Sequence, residues 1–119
     1  MDKYALIFRM DILTEALQPT ERQMKDYMEE WNAWIGEIAE SGRLAEGGNH
    51  LIRAGRVLRS KGQCTEGPYV SNGESVAGYI IVLAKDMNEA ARLAAKCPIL
   101  RGDGTSVEVR QAGNPGNQN

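Results

Sequence analysis

The run Gly78-Tyr79-Ile80-Ile81-Val82-Leu83 limits this chain more than any other feature. Successive residues of a strand point to opposite faces of the sheet, and here both alternations are apolar. A strand of this kind has to be covered on both sides. The N-terminal segment Tyr4 to Met10 makes the same demand, with Tyr4, Leu6, Phe8 and Met10 on one face and Ala5, Ile7 and Arg9 on the other. At 119 residues the chain fits one domain. A chain of this length buries roughly 65% of the surface it exposes when unfolded, enough for a core without disulfide or metal staples.

Two segments can supply one of the covers. Thr20 caps a helix with Gln23 in the position of a capping box, and Met24, Tyr27, Met28, Trp31, Ile35 and Ile38 then recur at helical spacing until Gly42. Trp34 lies off the centre of that stripe, toward a helix edge or a partner. Such a stripe packs on a sheet and needs no cofactor groove to explain it. Asp86 caps a second helix, with Glu89 completing the box and Ala90, Ala91, Leu93, Ala94 and Cys97 forming a small packing face before Pro98 stops it.

Between the helices the signals are shorter. Gly47-Gly48 reads as a turn, His50 to Arg59 and Gly62 to Glu66 as short strands joined at Ser60-Lys61-Gly62, and Ser71 to Ser75 as an exposed loop before the strand Tyr79 to Ala84. Gly102-Asp103-Gly104 turns the chain into a last strand, Thr105 to Gln111. The domain is expected over 1–112, followed by a disordered polar tail over 113–119. The order strand, long helix, short strands, strand, helix, strand predicts an α+β fold of ferredoxin-like type, an antiparallel sheet with two helices on one face. The uncovered face then calls for a second sheet from another copy, so a homodimer joined through its sheet faces is expected.

Composition narrows the function classes. The net charge of −2 leaves no global basic field for a phosphate backbone, so nucleic acid is not an expected partner. No apolar stretch approaches the ~20 residues of a membrane span, and the N-terminus lacks the layout of a signal peptide. A cytoplasmic location without membrane attachment is expected. Cys64 and Cys97 lack metal-site spacing, and no metal or other cofactor is implied. The basic run Arg53, Arg56, Arg59 and Lys61 reads as a solvated hairpin.

Cys64-Thr65-Glu66-Gly67-Pro68-Tyr69 is the motif with most to say about function. Pro68 fixes its own φ and pushes the preceding residue out of the helical region, so Glu66 leaves its strand at a rigid corner. Glu66-Gly67-Pro68-Tyr69 resembles the Asp-Gly-Pro-Phe motif of the YCII-related proteins known as the DGPF family. The likeness extends to Glu74, Gly78-Tyr79, Asp86, Glu89-Ala90, Ala95-Lys96-Cys97-Pro98 and Ser106-Val107-Glu108-Val109-Arg110, and so covers most of the chain. The resemblance implies a dimeric α/β barrel. The wider superfamily includes muconolactone-isomerase-like enzymes, small monooxygenases and ligand-binding modules, and YCII-type members are associated with a histidine and an aspartate. Here the family's aspartate is Glu66, its phenylalanine is Tyr69, and the lysine usual shortly after the motif is replaced by Gly73.

His50, the one histidine, follows Gly47-Gly48-Asn49. Histidine is the side chain that both takes and gives a proton near neutral pH. The catalytic expectation pairs His50 with Glu66, the carboxylate orienting the imidazole, while Arg9, Tyr69 and Arg110 bind a small acidic or aromatic ligand. Cofactor-free isomerisation or elimination is the chemistry of such a pair. The alternative is a non-catalytic ligand-binding or regulatory module in which His50 is a loop histidine and Glu66 caps a turn.

Overall fold

The computed structural model describes residues 1–113 and Gly116. Its strands are β1 (Asp2–Met10), β2 (Leu44–His50), β3 (Arg56–Leu58), β4 (Cys64–Glu66), β5 (Ser75–Ala84) and β6 (Ser106–Gln111), and its α-helices are α1 (Glu21–Glu40) and α2 (Met87–Ala94). Short 3-10 turns lie at Glu15–Leu17, Ser60–Gly62 and Pro98–Arg101. The expected tail over 113–119 falls mostly on residues outside those described.

Four strands form one antiparallel sheet in the order β2-β5-β1-β6, while β3 and β4 pair, among the described residues, with each other alone. The two doubly apolar strands, β1 and β5, occupy the centre, where neighbouring strands satisfy both rows of backbone hydrogen-bonding groups. Tyr4, Leu6 and Phe8 of β1 and Ile80, Val82 and Ala84 of β5 point to the helices and are buried. Ala5, Ile7, Tyr79, Ile81 and Leu83 point the other way and are half-buried. This is the ferredoxin-like arrangement expected, with both helices over one face.

The helix starts follow local chemistry. Thr20 accepts from the Gln23 amide at 3.2 Å and Gln23 returns the bond to the Thr20 amide at 2.9 Å, a complete capping box. Asp86 accepts from the Glu89 amide at 2.8 Å, but Glu89 reaches past the cap to the Lys85 amide at 3.1 Å and takes Arg43 as an ion partner, so that box closes only on one side. The packing face of α1 also departs from the spacing argument. Trp34 and Ile38 are the buried residues, Trp31 and Ile35 flank them, and Met24 and Met28 are exposed. Trp34 meets Phe8 edge-on at 5.9 Å and donates its indole N–H to the Leu93 carbonyl at 3.1 Å, which ties α1 to α2.

Two segments differ from the sequence expectation. Gly47-Gly48 is not a turn: both glycines lie inside β2, where three residue steps from Glu46 to Asn49 oppose two on β5. This is a bulge, with Gly48 at φ +63° against the Tyr79 carbonyl. The strand expected from His50 onward is therefore irregular over residues 51–55 and resumes as β3. The exposed loop at Ser71 to Ser75 is a tight hairpin turn, with Asn72 and Gly73 both at positive φ and reciprocal backbone bonds between Ser71 and Glu74. Ser75 already belongs to β5 and is buried, its hydroxyl donating to the Tyr69 carbonyl at 2.9 Å.

Candidate functional site

The Gly67-Pro68 corner lies where β4 ends at Glu66. Gly67 takes φ +92°, a region that disfavours a side chain, and its amide donates to the Gly55 carbonyl at 2.8 Å. Tyr69 is held through its backbone by Ser75. The corner thus joins the root of the β3–β4 hairpin to the start of β5.

Two open cavities meet at this corner. One, of about 430 Å³, is walled by His50, Leu51, Ile52, Ala54, Pro68, Tyr69 and Val76. The other, of about 510 Å³, takes in Leu13, Arg53, Val57, Arg59, Glu66 and Val70 and shares Pro68 and Tyr69. Both fall in the size range of small-molecule sites. The first is mainly apolar with one imidazole, and the second carries two guanidinium groups and one carboxylate. The Arg59 guanidinium lies 5.5 Å from the centre of the Tyr69 ring, a cation–π contact that steadies the aromatic wall between them.

His50 and Glu66 do not touch. His50 ends β2 opposite Gly78, and its imidazole makes no hydrogen bond with any described residue. Glu66 is paired across the hairpin with Arg56, whose Nε lies 2.7 Å from its carboxylate, and both side chains are largely exposed. Tyr69 is the predicted ligand residue that adjoins both.

Arg9 and Arg110 lie elsewhere. The β1–β6 register places Ala5 opposite Arg110, Ile7 opposite Glu108 and Arg9 opposite Ser106, so both arginines belong to the sheet face turned away from the helices. They flank Glu108, at 2.9 Å from Arg9 and 3.2 Å from Arg110. Hydrogen bonds from Arg9 and then Arg110 hold the Glu108 carboxyl below the ordinary glutamate range. A ligand binding these arginines would have to compete with that carboxylate.

The sequence reading missed Arg53 and Arg59 as cavity residues, and it missed the apolar wall of Leu51, Ile52 and Val76. The hairpin turning at Ser60-Lys61-Gly62 was the available signal, but its register sets Arg56 beside the Gly-Pro corner and Arg59 opposite Gln63 near the tip, and it is the Arg59 side chain that reaches the Tyr69 ring. Cys64 is exposed and Cys97 buried, and burial pushes the Cys97 thiol up to about 12. Among the described residues no three histidine, cysteine, aspartate or glutamate side chains cluster as metal ligands. No helix among them is long and apolar enough to cross a membrane.

The fold and corner define a small α+β domain with a four-stranded antiparallel sheet, two helices on one face and a Gly-Pro motif at the mouth of a surface site. The chain belongs to the YCII-related domain family, whose model matches residues 9–112. The match runs from the end of β1 through β6 and so includes every element around the corner. A comparison with curated proteins finds no match.

Proposed function

We propose that this YCII-related protein binds a small acidic or aromatic molecule at the Pro68–Tyr69 corner and moves a proton on it through His50. The observation that carries this reading is the pair of cavities sharing Pro68 and Tyr69, one holding an imidazole without a hydrogen-bond partner among the described residues and the other two guanidinium groups. Arg53 and Arg59 suit the carboxylate of a ligand, and the Tyr69 ring with Leu51 and Ile52 suits its apolar body. His50 then takes a proton from a carbon of the ligand and returns it at another position in an isomerisation, or gives it to the leaving group in an elimination. Glu66 acts from the other side of the corner, on a ligand that spans both cavities. The working unit is a homodimer in which a second copy covers Ala5, Ile7, Tyr79, Ile81 and Leu83, the sheet face without helices.

A screen of small carboxylates and phenols by thermal shift on wild type, His50→Ala and Glu66→Gln tests the site. A ligand that binds the native state raises its melting temperature by mass action, and the shift should disappear in both variants. Equal shifts in all three proteins would remove the site. The Arg56–Glu66 ion pair favours a second reading, non-catalytic binding, because it leaves Glu66 without contact to His50. Exchange of a ligand proton for solvent deuterium separates the two: wild type should catalyse it and His50→Ala should not, whereas binding without exchange supports the second reading. Light scattering that finds a monomer at micromolar concentration would overturn the dimer.

A further inference from the structure

The second cavity carries positive charge that no carboxylate among the described residues cancels. Arg56 is paired with Glu66 across the hairpin, and Arg9 and Arg110 share Glu108 on the sheet face away from the helices. Arg53 and Arg59, the two guanidinium groups in the cavity wall, have no ion partner among the described residues. Within the arm of residues 51–66, Arg53, Arg56 and Arg59 against Glu66 leave +2 beside the cavity, and Lys61 adds its charge at the hairpin turn outside the wall. A ligand with one carboxylate would balance only half of that +2.

The two arginines are also held apart. Arg53 precedes β3 and Arg59 follows it, so roughly 10 Å of strand separates their backbones. Arg59 lies over the Tyr69 ring, and an anion that approaches in the guanidinium plane keeps that contact, since the ring and the N–H donors use different directions. A single phosphate would draw both guanidinium groups to one point and would use backbone amides as well, but the Gly67 amide at this corner is already given to the Gly55 carbonyl at 2.8 Å. Two carboxylates on one body match two separate guanidinium forks.

The wall between the cavities constrains that body. Tyr69 is 60% exposed, with Pro68 beside it and Leu51, Ile52 and Val76 in the first cavity. An exposed aromatic ring among apolar side chains suits a flat ring, and a ring holds two carboxylates at a fixed separation, so little freedom is lost on binding.

We infer that the ligand is an aromatic dicarboxylate, whose carboxylates take Arg53 and Arg59 and whose ring lies on Tyr69 with one edge toward His50. This rests on the proposal that the Pro68–Tyr69 corner is a ligand site, and it sets the charge and shape of what that site takes.

His50 is the one histidine, so its imidazole proton resonances report on the first cavity without overlap from another. Titration at low salt with isophthalate should shift them with a dissociation constant about tenfold or more below those of benzoate, which lacks the second charge, and glutarate, which lacks the ring. The preference over benzoate should disappear in Arg53→Gln and in Arg59→Gln, both at exposed positions. Lys61→Gln, on the same arm but outside the cavity wall, should keep it, and an equal loss there would overturn the inference in favour of a diffuse basic field. Benzoate or glutarate bound as tightly as isophthalate, or phenyl phosphate bound more tightly, would overturn the aromatic dicarboxylate and leave the corner standing as a site. If none of the four acids moves the His50 resonances, the dicarboxylate and the site fall together.

Discussion

Replacing Gly48 by alanine should unfold this protein more readily than any other single methyl group added to its glycines. A Cβ at that position would lie 1.7 Å from the Tyr79 carbonyl oxygen and 2.7 Å from its carbon. Both are backbone atoms of the central strand β5, so no side-chain rotation relieves the overlap. The left-handed φ of +63° adds about 1 kcal/mol for any residue with a Cβ. Relief requires β2 to part from β5 around Asn49 and His50, and each ladder bond lost there is worth about 1 kcal/mol net. The sum is about 3–5 kcal/mol, in the range reserved for strain and broken networks. Gly42→Ala is the matched control, since Gly42 has φ +76° but open space where its Cβ would go, and it should lose only about 1 kcal/mol. Gly47→Ala, with open space and no positive φ, should be close to neutral. For a domain of this size about 1 kcal/mol moves the melting temperature by roughly 4 °C, so calorimetry should find drops of about 12 °C or more for Gly48→Ala and about 4 °C for Gly42→Ala. Equal drops for the two would refute the bulge geometry and with it the placement of His50.

Other outcomes follow from the core and the open face. Trp34→Phe removes the indole donor to Leu93 and part of the packing on Phe8, so chemical denaturation should report a loss of about 2 kcal/mol. A chromogenic disulfide reagent at pH 8 should label one thiol per native chain, Cys64, and reach Cys97 only on unfolding, because the Cys97 thiol is buried and held protonated. Glu108 has a folded pKa below its unfolded one. Its stabilising contribution is therefore present above the ordinary glutamate range and is lost as pH falls through the lowered value, so Glu108→Gln should flatten the acid limb of a stability–pH curve. Asp11, held down first by the Thr14 amide and hydroxyl and then by the Leu13 amide, has the same sign, and Asp11→Asn should also flatten that limb.

The sequence by itself determined what local chemistry decides. Thr20 with Gln23 and Asp86 with Glu89 set the helix starts, since each cap is satisfied within three or four residues. Double apolar alternation marked β1 and β5 as strands with two apolar faces, and Gly67-Pro68 set the corner at the end of β4, because each property belongs to a short stretch of chain; their central place in the sheet came from the structure. Only the tertiary structure decided which face of α1 is buried, since Trp34 is drawn inward by Phe8 and by a carbonyl 59 residues away while Met24 and Met28 stay exposed. It also decided that Gly47-Gly48 is a bulge: a pair of glycines permits either a turn or a bulge, and the neighbouring β5 carbonyl makes the choice. The site divides in the same way. The motif put a carboxylate and an aromatic ring on one corner, but the distance from Glu66 to His50, the ion pair with Arg56 and the cavity shared across Pro68 and Tyr69 depend on how β2, the arm and β5 meet. Those contacts join residues far apart in the chain, and no local spacing encodes them.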